Sequence, residues 1–420
     1  MSDSSHVLTV VIPALNEEEA IGDTIQRCLD ARSHIIANSG VREVEIIVVS
    51  DGSTDRTEEI ARGFGDVTVL VFVENRGYGA AIQKGFEHGR GDLVSFLDAD
   101  GTCDPRFFAD LCRAIDEQRA DLVLGSRMGK DSEMPMIRAI GNTIFAWILG
   151  ILSRKRVDDT ASGMRVIRRS ALDHLYPLPD GLHFTPAMSA RALMEGRLHL
   201  VELPMAYAER VGRSKLSVLK DGIRFLTCIV QASIAYRPAR PLLLVAAVVA
   251  VLALLLAAQP TLFYLRETRL EEWMIYRLLL SSLLVTIASV GVMSAVVADH
   301  IAASAHGRDP APLGVSGWVS SVFTRQGRRI ALAALLLPAL ALVWPGIAEY
   351  ASTGSIEMHW SRAALASLMV VLAVMFGITV FLIHMLELID KQRGGPAASR
   401  PPERIHRGSH VPASESPGAT

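Results

Sequence analysis

Asp98 and Asp100 stand one residue apart at the end of the apolar run in "VSFLDADGTCDP", with Gly101 immediately after them. At a strand end, residues two apart point to the same side, so both carboxylates can enter one cleft. Two hard oxygen donors suit Mg²⁺ or Mn²⁺, which keeps waters and takes the rest of its shell from substrate phosphates. The chemistry to expect is the holding of a metal-bound diphosphate. A strand end followed by a turn would also accommodate the pair, so the weight comes from acidic residues after the neighbouring apolar runs.

Those runs define the elements that must position the pair. "VLTVVIPAL" is β-branched and stopped by proline, and the next segment spaces Ile21, Ile25 and Leu29 as a helix does. "EVEIIVVSDGSTD", "VTVLVFVEN" and "DLVSFLDADG" repeat the pattern with helical segments between them. Alternation of this kind predicts an α/β fold, a mainly parallel sheet with helices on both faces. Ligands of such sheets bind beyond the carboxyl ends of the strands. The candidate residues are therefore Pro13, Leu15, Asn16 and Glu17 after the first run, Asp51 after the second, residues 75–79 after the third, and Asp98 with Asp100 after the fourth. "GYGAAIQKG" imitates the start of a dinucleotide fingerprint, but Ile82 stands where the third glycine belongs. A backbone turn or pocket floor is the better reading.

In this order the motifs "VIPALNEE", "VVSDGSTDRT", "NRGYGAAIQKG", "LDADGTCDP", "LVLGSRM", "VDDTASGMRVI" and "ERVGRSKL" resemble family 2 glycosyltransferases of the GT-A fold, in the polyprenyl-phosphate (dolichyl-phosphate) branch. The resemblance covers about residues 7–235. It implies that Pro13, Leu15, Glu17 and Asp51 line a nucleotide pocket, that Asp98 and Asp100 bind the cation and diphosphate, and that Arg127 and Arg165 face phosphates. It aligns Asp159 with the residue usually placed near the reacting centre, and assigns Arg210, Ser214 and Lys215 to the lipid phosphate or donor diphosphate. Two departures stand out: Ser50 replaces the first acid of the second motif, and Gly101 stands where relatives often carry Gln. The reaction implied is an inverting single displacement. A phosphate acceptor is already largely ionised near neutral pH, its second pKa being about 6, so Asp159 could orient groups instead of abstracting a proton.

Half of the 420 residues are hydrophobic, the formal charge is −2 and the mean hydropathy is +0.31. The excess is uneven. Residues 1–212 read as a catalytic α/β domain and 213–240 as an amphipathic juxtamembrane helix. Residues 241–388 hold four apolar segments at about 241–265, 278–298, 330–348 and 363–386, each near the roughly 20 residues that span a bilayer. Their centres lack charges, which argues against an ion or proton pathway. Arg308, Arg325, Arg328 and Arg329 between the second and third segments, and Lys391, Arg393, Arg400, Arg404 and Arg407 after the fourth, predict both termini and the catalytic domain in the cytoplasm. "MIRAIGNTIFAWILGILSRKR" is too short and too closely flanked by charge for a span, and an interface helix over about 137–153 is expected. Residues 389–420, rich in Pro, Ser, Gly and Ala, read as a disordered tail. Four irregularly spaced cysteines fit neither a disulfide framework nor a zinc site.

The expected activity is transfer of a sugar from a UDP-glucose-type or GDP-mannose-type donor to a polyprenyl or dolichyl phosphate, with Mg²⁺ or Mn²⁺ as cofactor. Partners are the donor, the acceptor and the lipid bilayer, with self-association open and no nucleic acid. A processive polysaccharide synthase would carry Q-x-x-R-W, whereas "RQGRR" has no Trp. A lipid-sugar transporter with a cytosolic regulatory domain would not need so complete a site.

Overall fold

Strand alternation sorts the first apolar run between two cores. Val11 packs in one hydrophobic cluster while its neighbours Val10 and Ile12 pack in the other, and Ile47 and Val49 are likewise separated from Ile46 and Val48. A sheet whose strands are buried on both faces needs such near-continuous apolar runs. The computed structural model describes residues 6–129, 132–208, 217–267, 269–306, 322, 324–357 and 359–393.

Chain order is β1 (His6–Ala14), α1 (Ile21–Asn38), β2 (Val41–Asp51), α2 (Thr57–Arg62), β3 (Thr68–Phe72), α3 (Tyr78–His88), β4 (Leu93–Phe96), α4 (Phe108–Glu117), β5 (Leu122–Ser126), α5 (Met136–Ser153), β6 (Arg165–Arg168), α6 (Leu172–Leu175), α7 (Phe184–Glu195), β7 (Leu200–Pro204) and α8 (Val218–Tyr236). The long helices α9 (Ala239–Glu267), α10 (Glu272–Ala305), α11 (Arg325–Thr353) and α12 (Trp360–Arg393) follow.

The sheet order is β3-β2-β1-β4-β6-β5-β7. Every pairing is parallel except those of β6, which runs against both β4 and β5. The mainly parallel sheet expected from the sequence is thus a mixed, GT-A-like sheet. The reversal has a consequence for the site. Arg165, the first residue of β6, pairs with Phe96 and Leu124 near the carboxyl ends of their strands, so the segment before it is delivered to the rim where β4 ends.

Two compact units are present, residues 1–317 and 318–420. In the first, α9 and α10 pack through mostly small residues repeating every seven positions: Ala239, Ala246, Ala253 and Pro260 on α9, and Met274, Ser281, Ala288, Ala295 and Ala302 on α10 are buried. That period gives the close antiparallel contact of membrane helices, whose association rests on packing because lipid is as apolar as leucine. Ser281 Oγ donates to the Ala253 carbonyl at 2.9 Å, and the outward residues Leu244, Val245 and Val248 are exposed. In the second unit, α11 and α12 pack with Ala339, Ala366, Ala373 and Phe376 buried.

Five described helices are long and apolar enough to cross a membrane: α5, α9, α10, residues 326–353 of α11 and residues 360–389 of α12. The sequence reading of four is corrected to five candidates, because Met136–Ser153 also satisfies length and composition. An odd number of spans argues against both termini lying in the cytoplasm, and that expectation does not stand. The tail expected over 389–420 begins later, because α12 continues to Arg393; the rest of it lies outside the described residues.

Candidate active site

The carboxyl rim of the sheet encloses a cavity of about 450 Å³, within the range of small-molecule sites. Pro13, Leu15 and Glu17 reach it from the end of β1, Asp51 from β2, Asn75 and Gly77 from beyond β3, Asp98 and Asp100 from beyond β4, and Arg127 from beyond β5. Two helices complete the wall, α5 with Ile137, Arg138, Gly141, Asn142 and Phe145, and α8 with Gly222 and Phe225. Phe145 and Phe225 meet edge to face at 5.8 Å between ring centroids.

Both paired aspartates line the cavity, and each has one oxygen tied by a hydroxyl. Tyr78 Oη donates to Asp98 Oδ1 at 2.6 Å, and Thr102 Oγ1 donates to Asp100 Oδ1 at 2.7 Å. Burial, reinforced by the adjacent Asp98, raises the Tyr78 phenol well above its ordinary range, so it remains a donor. A Cβ on Gly163 would lie 2.2 Å from Asp98 Oδ2, so only glycine lets the 162–164 turn approach this carboxylate. No cluster of three or more His, Cys, Asp or Glu side chains that could hold a metal occurs among the described residues. Two convergent carboxylates nevertheless fit Mg²⁺ or Mn²⁺ if donor oxygens and water complete the shell.

Asp51 is 3% exposed and accepts the backbone N–H groups of Arg76 at 2.7 Å and Gly77 at 2.9 Å. It therefore shapes the pocket floor that the glycine-bearing segment forms. The first N–H groups of α3 are not free for a phosphate: Gly79 and Ala80 both donate to the Asp180 carbonyl, at 2.6 and 3.1 Å. That accounts for the failed dinucleotide fingerprint in physical terms.

Asp159 does not line the cavity but is fully buried behind Arg127. Its carboxylate accepts the Arg127 backbone N–H at 3.0 Å, Nε at 2.7 Å and Nη2 at 2.9 Å, and the Ala161 N–H at 3.1 Å. Burial works to raise this carboxyl, but the guanidinium and the N–H donors outweigh it and hold it below the usual carboxylate range. Four donors leave no lone pair suited to taking a substrate proton. The forked pair fixes Arg127 instead, with its guanidinium also 5.4 Å from the Tyr207 ring centroid. Arg165 is fully buried too, its Nε on the Ser162 carbonyl at 3.0 Å and its Nη2 on the Thr160 carbonyl at 3.0 Å. Burial pulls its guanidinium down to about 10, and it supports the 160–165 turn instead of lining the cavity. Arg210, Ser214 and Lys215 lie outside the described residues.

Asn142 and Arg138 are cavity residues that the sequence reading did not single out, whereas Tyr78 falls within the 75–79 segment expected at the rim. Arg138 and Asn142 are polar interruptions of a largely apolar segment. That interruption was the available signal.

The profile of glycosyl transferase family 2 matches residues 9–176. The low-salt glycan biosynthesis hexosyltransferase of Haloferax volcanii is 32% identical over 230 residues, covering 53% of this chain and 53% of that protein. The dolichyl-phosphate hexose transferase of the same organism is 32% identical over 219 residues, covering 51% of this chain and 89% of that protein. The chain thus spans about half the length of the first relative and most of the second. Among solved structures, glucosyl-3-phosphoglycerate synthase from Mycobacterium tuberculosis aligns with a TM-score of 0.44 at 21% identity, covering 55% of this chain and 81% of that one, a likeness too loose to bear on the site. With one relative matched over nearly its whole length and the family profile lying across the same sheet and rim, the chain belongs to glycosyl transferase family 2, in its dolichyl- and polyprenyl-phosphate glycosyltransferase-like branch.

Proposed function

We propose that the chain transfers a sugar, with inversion, from a nucleoside-diphosphate donor to a polyprenyl or dolichyl phosphate at a membrane surface. The observation that carries this reading is one cavity with two characters: Asp98, Asp100 and Arg127 at the strand ends, and apolar residues of α5 and α8 opposite. Those helices continue outward as apolar surface, with Ile137, Ile140, Ile144 and Trp147 of α5 and Ile223 of α8 each more than half exposed. An isoprenoid chain can lie along such a surface while its phosphate enters the cavity, where Arg138 of α5 offers a charge.

Pro13, Leu15 and Glu17 would take the nucleotide end of the donor, with Asp51 holding the turn beneath it. Asp98 and Asp100 would hold a divalent cation, which when bound neutralises charge on the leaving diphosphate. Arg127, fixed by Asp159, faces the same charge. The acceptor phosphate oxygen forms the new bond to the anomeric carbon as the bond to the diphosphate breaks on the opposite face. An ionised phosphate needs no general base, which agrees with the fully occupied carboxylate of Asp159.

The test is a panel of radiolabelled UDP- and GDP-sugars offered to membranes containing the chain and an isoprenoid phosphate. One donor is expected to yield lipid-soluble label, and Asp98→Asn or Asp100→Asn to lower its rate by about 10²–10³-fold, as for the loss of a group that stabilises developing charge. Absence of lipid-soluble label with every donor, or full turnover by either variant with metal chelated, refutes the reading.

A further inference from the structure

Helix α5 is apolar on the outside and sends one amide inward at a decisive place. Asn142 is 6% exposed in the cavity wall. Its Nδ2 donates to the Asp158 carbonyl at 3.0 Å, while its Oδ1 accepts the Thr160 N–H at 3.1 Å and the Thr160 hydroxyl at 2.8 Å. The amide therefore brackets Asp159 on both sides. No other side chain of similar size can do this: an amide offers donors and a two-lone-pair acceptor from one planar group.

The bracketed turn is held elsewhere by a sheet strand and by α7. Glu202 of β7 accepts the N–H groups of Asp158 at 2.8 Å and Asp159 at 2.7 Å, and Ser189 of α7 donates to the Thr160 carbonyl at 2.9 Å. Asn142 supplies the contact from the helix that walls the acceptor side. Because Asp159 in turn orients Arg127 through three hydrogen bonds, the order of dependence runs from α5 to the 158–161 turn to the guanidinium in the cavity.

We propose that Asn142 is a positioning residue through which α5 sets the Arg127–Asp159 fork, so that donor-phosphate chemistry depends on the seating of the acceptor-side helix. This deepens the proposed transfer reaction and rests on it for its functional half. The structural half stands on the hydrogen bonds alone.

The experiment uses the full chain in lipid nanodiscs. Asn142→Leu, close in shape but without polar atoms, is expected to speed amide exchange at residues 158–162 about tenfold or more, the scale set by leaving buried groups without a partner. Exchange in β4 should not change. With isoprenoid phosphate as acceptor, kcat should fall about tenfold while KM for the nucleotide sugar stays near wild type, the split left by losing alignment without losing ground-state binding. Should that variant fail to fold, Asn142→Asp keeps the acceptor for Thr160 and places an oxygen against the Asp158 carbonyl; faster exchange at 158–159 is the expected result. Unchanged exchange at 158–162 in a folded variant, or unchanged kcat with faster exchange, overturns the proposal. If the wild-type chain transfers no sugar to isoprenoid phosphate, the proposed function fails by that result alone, and the exchange rates still decide whether Asn142 positions the turn.

Discussion

At the scale of single residues, the buried Arg127–Asp159 pair separates positioning from acid–base work. Asp159 is fully buried, Arg127 is largely so, and the pair is bidentate. Removing one partner leaves the other charge buried and unpaired, a loss of about 3–5 kcal/mol at such sites. Since the folded carboxyl is held below its ordinary value, its contribution is fully present above the unfolded pKa, about 3.9, and is lost as pH falls through the folded value. Asp159→Asn is therefore expected to unfold at a lower temperature than wild type at pH 7, with the gap narrowing as pH is lowered below about 4. Melting of the detergent-solubilised chain across that range checks it, and a gap that stays constant with pH would mean that the charge of Asp159 is not what stabilises the turn. A general base in this place would instead show activity rising with pH near its own pKa, which four donors at the carboxylate do not favour.

At the scale of elements, the seven-residue stripe of α9 and α10 leaves little room for larger side chains. A Cβ on Gly291 would lie 3.1 Å from the Ala246 Cβ, and a leucine there adds three further carbons to a contact already tight. Gly291→Leu is expected to destabilise the hairpin by about 1–3 kcal/mol, the usual cost of overpacking, read as a lower melting temperature in detergent. Val248→Leu, on an outward face that is 64% exposed, should melt as wild type does. Elements of this kind were legible from the chain because their periodicity is local: β-branched runs, acids just after them, and long apolar segments each lie within a window of some twenty residues. What escaped depends on distant partners. The reversed direction of β6 is carried by a four-residue strand whose pairing no periodicity encodes, and the role of Asn142 becomes visible only when residues 16 and 18 positions away fold back onto it. Asp159 was placed near the reacting centre by motif, but its burial behind Arg127 required the fold. The segment at about 137–153 was read as an interface helix from its shortness and flanking charges, and the helix there also satisfies the length and mean hydropathy of a span.

At the scale of the whole molecule, the cavity and the first membrane hairpin belong to one unit. Arg197 Nη2 donates to the His306 carbonyl at 2.7 Å, the rings of Tyr236 and His306 lie 4.6 Å apart, and Arg237 Nε donates to the Met194 carbonyl at 3.3 Å. Arg240 also donates to the Leu152 carbonyl at the end of α5. These bonds join α7, α8 and α5 to the ends of α9 and α10, so the walls of the cavity and the hairpin share a frame. Among the described residues, those that line the cavity fall between Pro13 and Phe225, within the first unit. Under the proposed function, a chain ending at Gly317 is therefore expected to bind the nucleotide sugar as the full chain does and to transfer sugar to isoprenoid phosphate at a rate of the same order, since a unit with its own core can retain its site when a separate unit is removed. Binding is read by calorimetry in nanodiscs and transfer by lipid-soluble label. Retained binding with lost transfer would assign α11 and α12 to the acceptor's path. Loss of both, with the exchange protection of β4 intact, would mean that the donor site itself needs the second hairpin.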